Sequence, residues 1–206
     1  MKNAKEREKE FFLKMKEKFG YKNLMQSPRL QKIVLNSGTG SIKDKEKIKI
    51  IEERMAKIAG QKPSKCAAKK SIASFKIRKG DVVGYRTTLR GGRMYNFFDR
   101  LIHIALPRTK DFRGISADSI DEMGNMSVAV IEHIVFPETA DEELKDVFGL
   151  SVVIVTTART KEEAKSFFEF LGVPFRKNKP IPACPTPARQ NRPPGQAIRT
   201  SSGMSA

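Results

Sequence analysis

Apolar residues recur every three to four positions in four stretches of the chain, a spacing that predicts amphipathic helices. The first stretch is 4–19, and the second ends at Gly60 with Ser41 or Asp44 as candidate N-caps. The third begins near Arg93 and is expected to stop at Pro107, and the fourth is Lys161–Leu171. Their apolar faces are formed by Phe11, Phe12, Met15 and Phe19; by Ile48, Ile51, Met55 and Ile58; by Met94, Phe97, Leu101 and Ile104; and by Ala164, Phe167, Phe168 and Leu171.

Between these helices the spacing changes to an alternation typical of β-strands. In the strand predicted at Leu30–Asn36, Ile33 and Leu35 share one face, while Lys32, Val34 and Asn36 share the other. Further strands are predicted at Lys65–Ser71, Ser74–Lys79, Val83–Leu89, Ser127–His133 and Leu150–Thr157, with a turn at Gly80-Asp81. Interspersed helices and strands joined by hairpin-like connections indicate the α+β class, with a largely antiparallel sheet flanked by helices and an extended basic loop.

Charge is distributed unevenly along the chain, whose formal net charge is +17. Residues 61–113 carry fourteen lysines and arginines but only three aspartates. A solvated surface normally mixes both signs, so this basic stretch is more typical of a surface that neutralises phosphates. An RNA or DNA partner is therefore favoured over a merely solvated face.

The charge reverses in residues 114–176, which contain five basic and twelve acidic residues. Such polarity suggests a second partner, a basic protein. Residues 178–206 contain several prolines and no acid, so we expect a disordered basic tail after a domain spanning residues 1–177.

Candidate catalytic and cofactor sites are weak. Ser37-Gly38-Thr39-Gly40-Ser41 joins a strand to a helix, but it lacks the further glycine or the Lys-Ser/Thr pair of nucleotide-binding loops, so a tight turn is the simpler interpretation. His103 and His133 have no His or Cys neighbour at metal-ligand spacing and are interpreted as structural. We therefore expect no cofactor, no metal and no enzymatic activity. Phe75 and Tyr85 are the only candidates for base stacking, and each could equally belong to the core.

The remaining features concern localisation and competing functions. The first residues contain no apolar run typical of a signal peptide, and no run of apolar residues is long enough to span a membrane, so we expect neither secretion nor membrane insertion. The two cysteines, Cys66 and Cys184, lie far apart and suggest neither a disulfide framework nor a metal site, so a reducing, cytoplasmic environment is expected. Two competing functions stay open at this point: an RNA-modifying enzyme that holds its substrate on the basic stretch, and an architectural DNA-binding protein.

Several motifs of the chain resemble the bacterial large ribosomal subunit protein five family, whose members bind 5S ribosomal RNA. The resemblance covers residues 5 to about 177, with the motifs in the family order. They are Met25-Gln26-Ser27-Pro28-Arg29, Ile33-Val34-Leu35-Asn36, Gly60-Gln61-Lys62-Pro63, Phe75-Lys76-Ile77-Arg78, Thr88-Leu89-Arg90-Gly91, Phe97-Phe98-Asp99-Arg100-Leu101, Pro107-Arg108, Asp111-Phe112-Arg113-Gly114, Phe136-Pro137-Glu138 and Pro174-Phe175-Arg176.

The resemblance implies a structural constituent of the large ribosomal subunit in the central protuberance. Its partners would be 5S rRNA, large-subunit rRNA, peptidyl-site tRNA, neighbouring central-protuberance proteins and a basic protein of the small-subunit head. Family members contact 5S rRNA through residues that correspond to Asn36, Gln61 and Thr88. We expect Lys62, Arg90 and Arg93, the cations beside these positions, to bind the same RNA.

Two further roles are implied by position. The family loop that touches peptidyl-site tRNA corresponds to residues 71–84, with Ser71, Lys76, Arg78 and Lys79 as candidate contacts. The segment after Arg108 corresponds to the bridge to the small-subunit head, with Asp111, Arg113, Glu142 and Glu143 as candidates. Exposed acids are expected in the following loop at Glu138, Asp141, Glu142, Glu143 and Asp146. Family members usually end soon after Pro174-Phe175-Arg176, so residues 178–206 inherit no role.

Overall fold

The fold is built on one five-stranded antiparallel sheet. The structure, a computed structural model, describes residues 4–40, 42, 44–139 and 147–176. The strands are β1 (Leu30–Gly38), β2 (Ser64–Ala67), β3 (Val82–Leu89), β4 (Met126–Val130) and β5 (Leu150–Thr156), in the spatial order β2-β3-β1-β5-β4. The predicted α+β class and antiparallel sheet are confirmed.

The helices are α1 (Ala4–Phe19), α2 (Lys45–Ala59), α3 (Gly91–Arg100), α4 (Leu106–Arg108) and α5 (Lys161–Leu171). Of the two candidate N-caps for α2, Asp44 occupies the capping position, and Ser41 lies outside the described residues. Gly60 ends this helix in the left-handed conformation, with φ 68°, which costs glycine little because it has no Cβ.

One face of the sheet is covered by the helices and forms the core. Ile33 and Leu35 of β1 and Val152 and Ile154 of β5 are fully buried there, together with the large aromatic side chains of the helices. The alternation in β1 therefore grouped Ile33 and Leu35 on one face correctly, and this face belongs to the core. The opposite face, called the outer face below, is exposed or half-buried along its strands.

Three tyrosine hydroxyls anchor this helix layer, each through a glutamate of another element. The pairs are Tyr21 with Glu163, Tyr85 with Glu52 at 3.1 Å, and Tyr95 with Glu8 at 2.7 Å. Burial, and then the neighbouring carboxylate, raises the pKa of all three tyrosines, that of Tyr85 to about 12. Tyr85 is therefore a core residue, and of the two stacking candidates only Phe75 is exposed.

The third predicted helix differs from its expected course. After α3 the chain makes a π-helical turn at Leu101–Ala105, in which the N–H of Leu106 bonds to the carbonyl of Leu101. The additional residue in the turn rotates Ile104 out of the apolar face, so Ile104 is exposed rather than buried. The helix also continues through Pro107 and ends at Arg108, one residue later than predicted.

Three strand predictions are wrong in whole or in part. The strand predicted at Lys65–Ser71 ends at Ala67. No strand forms at 74–79, because the chain reverses at 73–76 and Ile77 makes only an isolated bridge to Ile72. The strand predicted to reach His133 ends at Val130, and His133 begins a short 3-10 helix. The predicted tail, residues 178–206, lies outside the described residues.

Candidate nucleic-acid interface

The outer face of the sheet presents a polar surface that carries positive charge at one end. Residues directly opposite each other in an antiparallel pair lie on the same face, so the register fixes its members. They are Ser64 and Cys66 of β2, Arg86 and Thr88 of β3, Lys32, Val34 and Asn36 of β1, Ser151, Val153 and Val155 of β5, and Ser127 and Ala129 of β4. None of these residues is acidic.

Asn36 and Arg86 lie side by side at the centre of the cationic end. They are directly opposite in the β1–β3 ladder, and Ser64 is opposite Arg86 on the next strand. The Ser64 hydroxyl donates to the Arg86 carbonyl at 2.9 Å, and Arg86 is exposed. An amide and a guanidinium placed together can bind a phosphate and an adjacent base or ribose group.

A shallow depression next to this pair is lined by Gln61, Thr88, Arg90, Gly92 and Arg93. The structure therefore brings four of the predicted RNA-binding residues together. The Gln61 amide donates to the Thr88 carbonyl at 2.9 Å, and its oxygen accepts from Arg93 at 3.4 Å. Gln61 thus orients Thr88 and Arg93, a positioning role that its polar side chain alone did not indicate.

Lys62 extends away from this depression. Its ammonium lies 3.9 Å from Glu52, which also pairs with Lys65 at 3.3 Å. The Lys62 side chain is 83% exposed, so this ion pair contributes little and leaves the ammonium accessible to an anion.

A basic hairpin loop, residues 68–81, projects from the ends of β2 and β3. Paired backbone hydrogen bonds link Ala68 to Gly80 and Asp81, and Ile72 to Ile77. Two side chains brace it: Ser71 accepts from the Lys79 N–H at 3.0 Å, and Asp81 accepts from the Arg78 N–H at 2.8 Å. Ser71 therefore helps to hold the shape of this loop.

The tip of the basic hairpin loop reverses at Ala73–Lys76, where Lys76 adopts φ 54°. Phe75 is 70% exposed at this tip, between cations that are exposed as well. These cations are Lys69, Lys70, Lys76 and Lys79. An exposed aromatic ring among lysines can stack on an unpaired base while the ammonium groups neutralise its phosphates.

The glycine loop before α2 packs against β3. Thr39 donates its N–H to the Val83 carbonyl at 2.8 Å, and a Cβ at Gly40 would lie only 3.1 Å from the Val83 side chain. These contacts favour the tight-turn interpretation of this loop over a nucleotide site.

The segment after Arg108 is held by backbone hydrogen bonds to the end of the domain. Asp111, with φ 54°, and Arg113 are exposed, whereas the next residues pair with the end of the domain. Ile115 donates to the Pro174 carbonyl and accepts from Arg176, both at 2.8 Å. A Cβ at Gly114 would lie 2.7 Å from the Arg176 nitrogen, so only glycine permits this approach.

The expectation of an exposed Glu138 is wrong. Its carboxylate pairs with the Arg100 guanidinium, and Arg100 also donates to the Ile58 carbonyl at 3.3 Å, so this acid connects helices inside the domain. Glu142 and Glu143, together with Asp141 and Asp146, lie outside the described residues.

Both histidines lack a catalytic arrangement. His133 is fully buried, with Nε2 3.1 Å from Arg54 and its ring stacked on Phe148. His103 is exposed on the π-helical turn. Among the described residues, no three His, Cys, Asp or Glu side chains are grouped to hold a metal ion. Within the same residues, no helix has the length and apolarity needed to cross a membrane.

Arg86 is the residue of this surface that the sequence interpretation missed. It lies two residues before Thr88, and the period-two alternation of a strand places both side chains on one face. That alternation was the available signal, but the cross-strand register that sets Arg86 beside Asn36 is a property of the fold.

Comparison with known proteins gives matches along most of the domain. Residues 23–78 match the family described as Ribosomal protein L5, and residues 82–175 match the model of the C-terminus of the same ribosomal family. The chain is 47% identical over 171 residues to Large ribosomal subunit protein uL5 of Thermoanaerobacter sp. (strain X514), a match covering 82% of this chain and 96% of that protein. It is 51% identical over 165 residues to the protein of the same name from Rubrobacter xylanophilus, covering 80% of this chain and 92% of that protein.

Proposed function

Because this chain belongs to the ribosomal protein L5 family and is a structural, non-enzymatic constituent of the large ribosomal subunit, we propose that the cationic end of its outer sheet face, on β1, β2 and β3, binds 5S rRNA. We also propose that the basic hairpin loop contacts peptidyl-site tRNA, and that the segment after Arg108 bridges to the small-subunit head. Family membership argues against the alternative function of an RNA-modifying enzyme, because the members of this family are structural proteins.

The absence of acids among the strand residues of the outer face is the observation that carries the proposal. Lys32 and Arg86 supply charge at its cationic end, and Arg90 and Arg93 extend this charge around the neighbouring depression. Asn36 and Thr88 lie between them as neutral hydrogen-bonding groups. Phosphate contacts supply most of the affinity for a nucleic acid, while neutral contacts set the register, and this surface provides both kinds.

The basic hairpin loop supports the second contact. It contributes a cluster of exposed cations, and its single acid, Asp81, is already engaged by the Arg78 N–H. Paired backbone hydrogen bonds hold the loop away from the core, so Phe75 reaches beyond the sheet. This shape suits an RNA that lies at a distance from the one on the outer face.

The bridge proposal depends on the electrostatics of residues 114–176. Their net negative charge would repel phosphates but attract a basic protein. Exposed apolar side chains at Ile131, 78% exposed, and Met123, 70% exposed, lie in the same part of the chain. Apolar groups surrounded by acids are typical of a protein-binding surface.

A competition experiment tests the RNA proposal. Labelled 5S rRNA bound to the protein is challenged with unlabelled 5S rRNA, with a DNA duplex of equal phosphate number, and with bulk tRNA. We expect 5S rRNA to compete best and the affinity to fall steeply with salt, with a log–log slope of about −0.7 to −0.9 per phosphate contact. Equal competition by the DNA duplex, or an affinity that does not change with salt, would contradict the proposal.

A further inference from the structure

The outer edge of β4 carries backbone groups that are directed away from the sheet. β4 pairs with β5 on one side, and on the other side Asp121 donates its N–H to the Asn125 carbonyl at 2.8 Å. Backbone groups alternate in direction along an antiparallel strand. Because Asn125 points outward, Ser127 and Ala129 must also direct their N–H and C=O groups outward.

Among the described residues, the only pairing on this side is the isolated antiparallel bridge between Ile120 and Met126 at the beginning of β4. Its hydrogen bonds engage the groups that flank Met126, which are the Asn125 carbonyl and the Ser127 N–H. The Ser127 carbonyl and both backbone groups of Ala129 remain uncovered by any described strand, and the side chains of Ser127 and Ala129 are exposed as well. A second extended segment could therefore bond to these three groups without displacing any part of the described structure.

The two edges of the sheet differ in how they are protected. β2, at the other edge, is only four residues long, follows Pro63, carries Lys65 and contains a register shift after Cys66. Short length, proline, lysine and bulges are the usual devices that prevent an edge strand from pairing with another chain. β4 is also short, at five residues, but its register with β5 is regular, and its sequence Met-Ser-Val-Ala-Val contains neither charge nor proline.

We propose that the outer edge of β4 binds an extended segment of a basic protein, which adds to the sheet as a sixth strand. This mode of recognition obtains affinity from main-chain hydrogen bonds and specificity from the side chains that flank them. The uncovered groups lie on Ser127 and Ala129, so the added segment needs only about three residues, or about 10 Å of extended chain.

The surroundings of β4 determine the chemistry of this segment. Asp118, Asp121 and Glu122 are exposed before the strand, and Glu132, which pairs with Lys110 at 3.2 Å, follows it. The exposed apolar side chains of Met123 and Ile131 lie at its two ends. A segment that combines Lys or Arg with apolar residues is therefore complementary, whereas RNA has no strand backbone and would be repelled. The inference rests on the proposed function in one respect, that residues 114–176 face a protein.

Amide hydrogen exchange tests the proposal in the full-length protein, free and in intact ribosomes. In the free protein the amide of Ala129 should exchange rapidly, and those of Met126, Val128 and Val130 slowly. In ribosomes, exchange at Ala129 should slow by about tenfold or more, because a strand that pairs there must open first. Unchanged exchange at Ala129 in ribosomes would overturn the proposal.

Photocrosslinking identifies the occupant. Benzoylphenylalanine placed at Ala129, whose side chain is exposed, should crosslink in intact ribosomes to a lysine- or arginine-rich protein segment. Crosslinks to rRNA or to residues 177–206 of this chain would contradict the proposal, and so would the absence of any crosslink.

A backbone variant separates strand addition from simple proximity. Ala129→Pro removes an N–H that the sheet of this chain does not use, and Ala129→Ser, the matched control, retains it. In ribosomes the proline variant should lose the protein crosslink formed by benzoylphenylalanine at the exposed position Ser127, and the serine variant should keep it; equal crosslinking in both would overturn the proposal. Neither change should affect 5S rRNA binding, so a failure of the RNA proposal is distinguishable from a failure of this one. If the proline variant does not fold, the wild-type exchange comparison decides alone.

Discussion

Asn36 and Arg86 offer a direct test of how the outer face recognises RNA, because they are cross-strand neighbours that differ in charge. Asn36→Ala removes a neutral hydrogen-bonding group, and Arg86→Gln removes a positive charge while keeping a polar side chain. The two substitutions therefore alter one location by two different physical means.

The two substitutions should change different properties of RNA binding: Asn36→Ala its affinity, and Arg86→Gln its salt dependence. Loss of one neutral hydrogen bond costs about 0.5–1.5 kcal/mol, so Asn36→Ala should weaken 5S rRNA binding about twofold to thirteenfold without changing its salt dependence. Loss of one phosphate contact should make the log–log salt slope shallower by about 0.7–0.9, so the effect of Arg86→Gln should diminish as salt increases.

The assay is the fluorescence anisotropy of labelled 5S rRNA, titrated at several salt concentrations. Lys165→Gln is the matched control, because Lys165 is an exposed cation on α5, in the helix layer on the other side of the sheet. This control should change neither affinity nor slope. If Asn36→Ala lowered the slope, if Arg86→Gln left it unchanged, or if Lys165→Gln reduced it as much, the assignment of RNA to the outer face would be refuted.

Three further predictions concern the loop, the domain end and the tyrosines. Phe75→Ala should weaken peptidyl-site tRNA binding to ribosomes by about 1–3 kcal/mol, the value of one base stack, while 5S rRNA binding is retained; unchanged tRNA binding would contradict it. Gly114→Ala should lower the free energy of unfolding in urea by about 1–3 kcal/mol, because residue 114 has a φ of +97° and the new Cβ would collide with the backbone of Arg176. Gly92→Ala is the control and should not lower it, because no atom lies within 4 Å of a Cβ at that position. In an absorbance titration at about 295 nm, the tyrosines of the folded protein should resist ionisation at pH 10. The free energy of unfolding should fall as pH rises from about 10 towards 12, because the folded state holds the Tyr85 proton more tightly than the unfolded state does. Ionisation of the tyrosines near pH 10 in the folded protein would refute this prediction.

Much of the fold follows from hydrophobic spacing because burial on one face imposes that spacing. The alternation grouped Ile33 and Leu35 on one face of β1, and the bounds of α5 matched those predicted, since Thr160 and Gly172 provide its N-cap and C-cap. The π-helical turn at Leu101–Ala105 could not be predicted in this way, because the local pattern is compatible with a regular helix. The extra residue is accommodated by tertiary packing.

The candidate site was predictable in composition but not in arrangement. The charge of residues 61–113 indicated a polyanion partner, and the family motifs pointed to Asn36, Gln61 and Thr88. The hydrogen bonds that make Gln61 a positioning residue depend on long-range pairing between α3, β3 and the end of α2. The pairing of Glu138 with Arg100, which removes one expected acid from the bridge, likewise joins residues 38 positions apart in sequence.

The most direct measurement is RNA crosslinking of the full-length protein in cells, with the crosslinked RNA sequenced and the crosslinked peptides identified. The account predicts that 5S rRNA is recovered on peptides containing Lys32–Asn36 and Arg86–Arg93, the strands and depression of the outer face. Recovery of 5S rRNA on peptides of α1 or α5, in the helix layer, would contradict it, as would recovery of another RNA on the outer face.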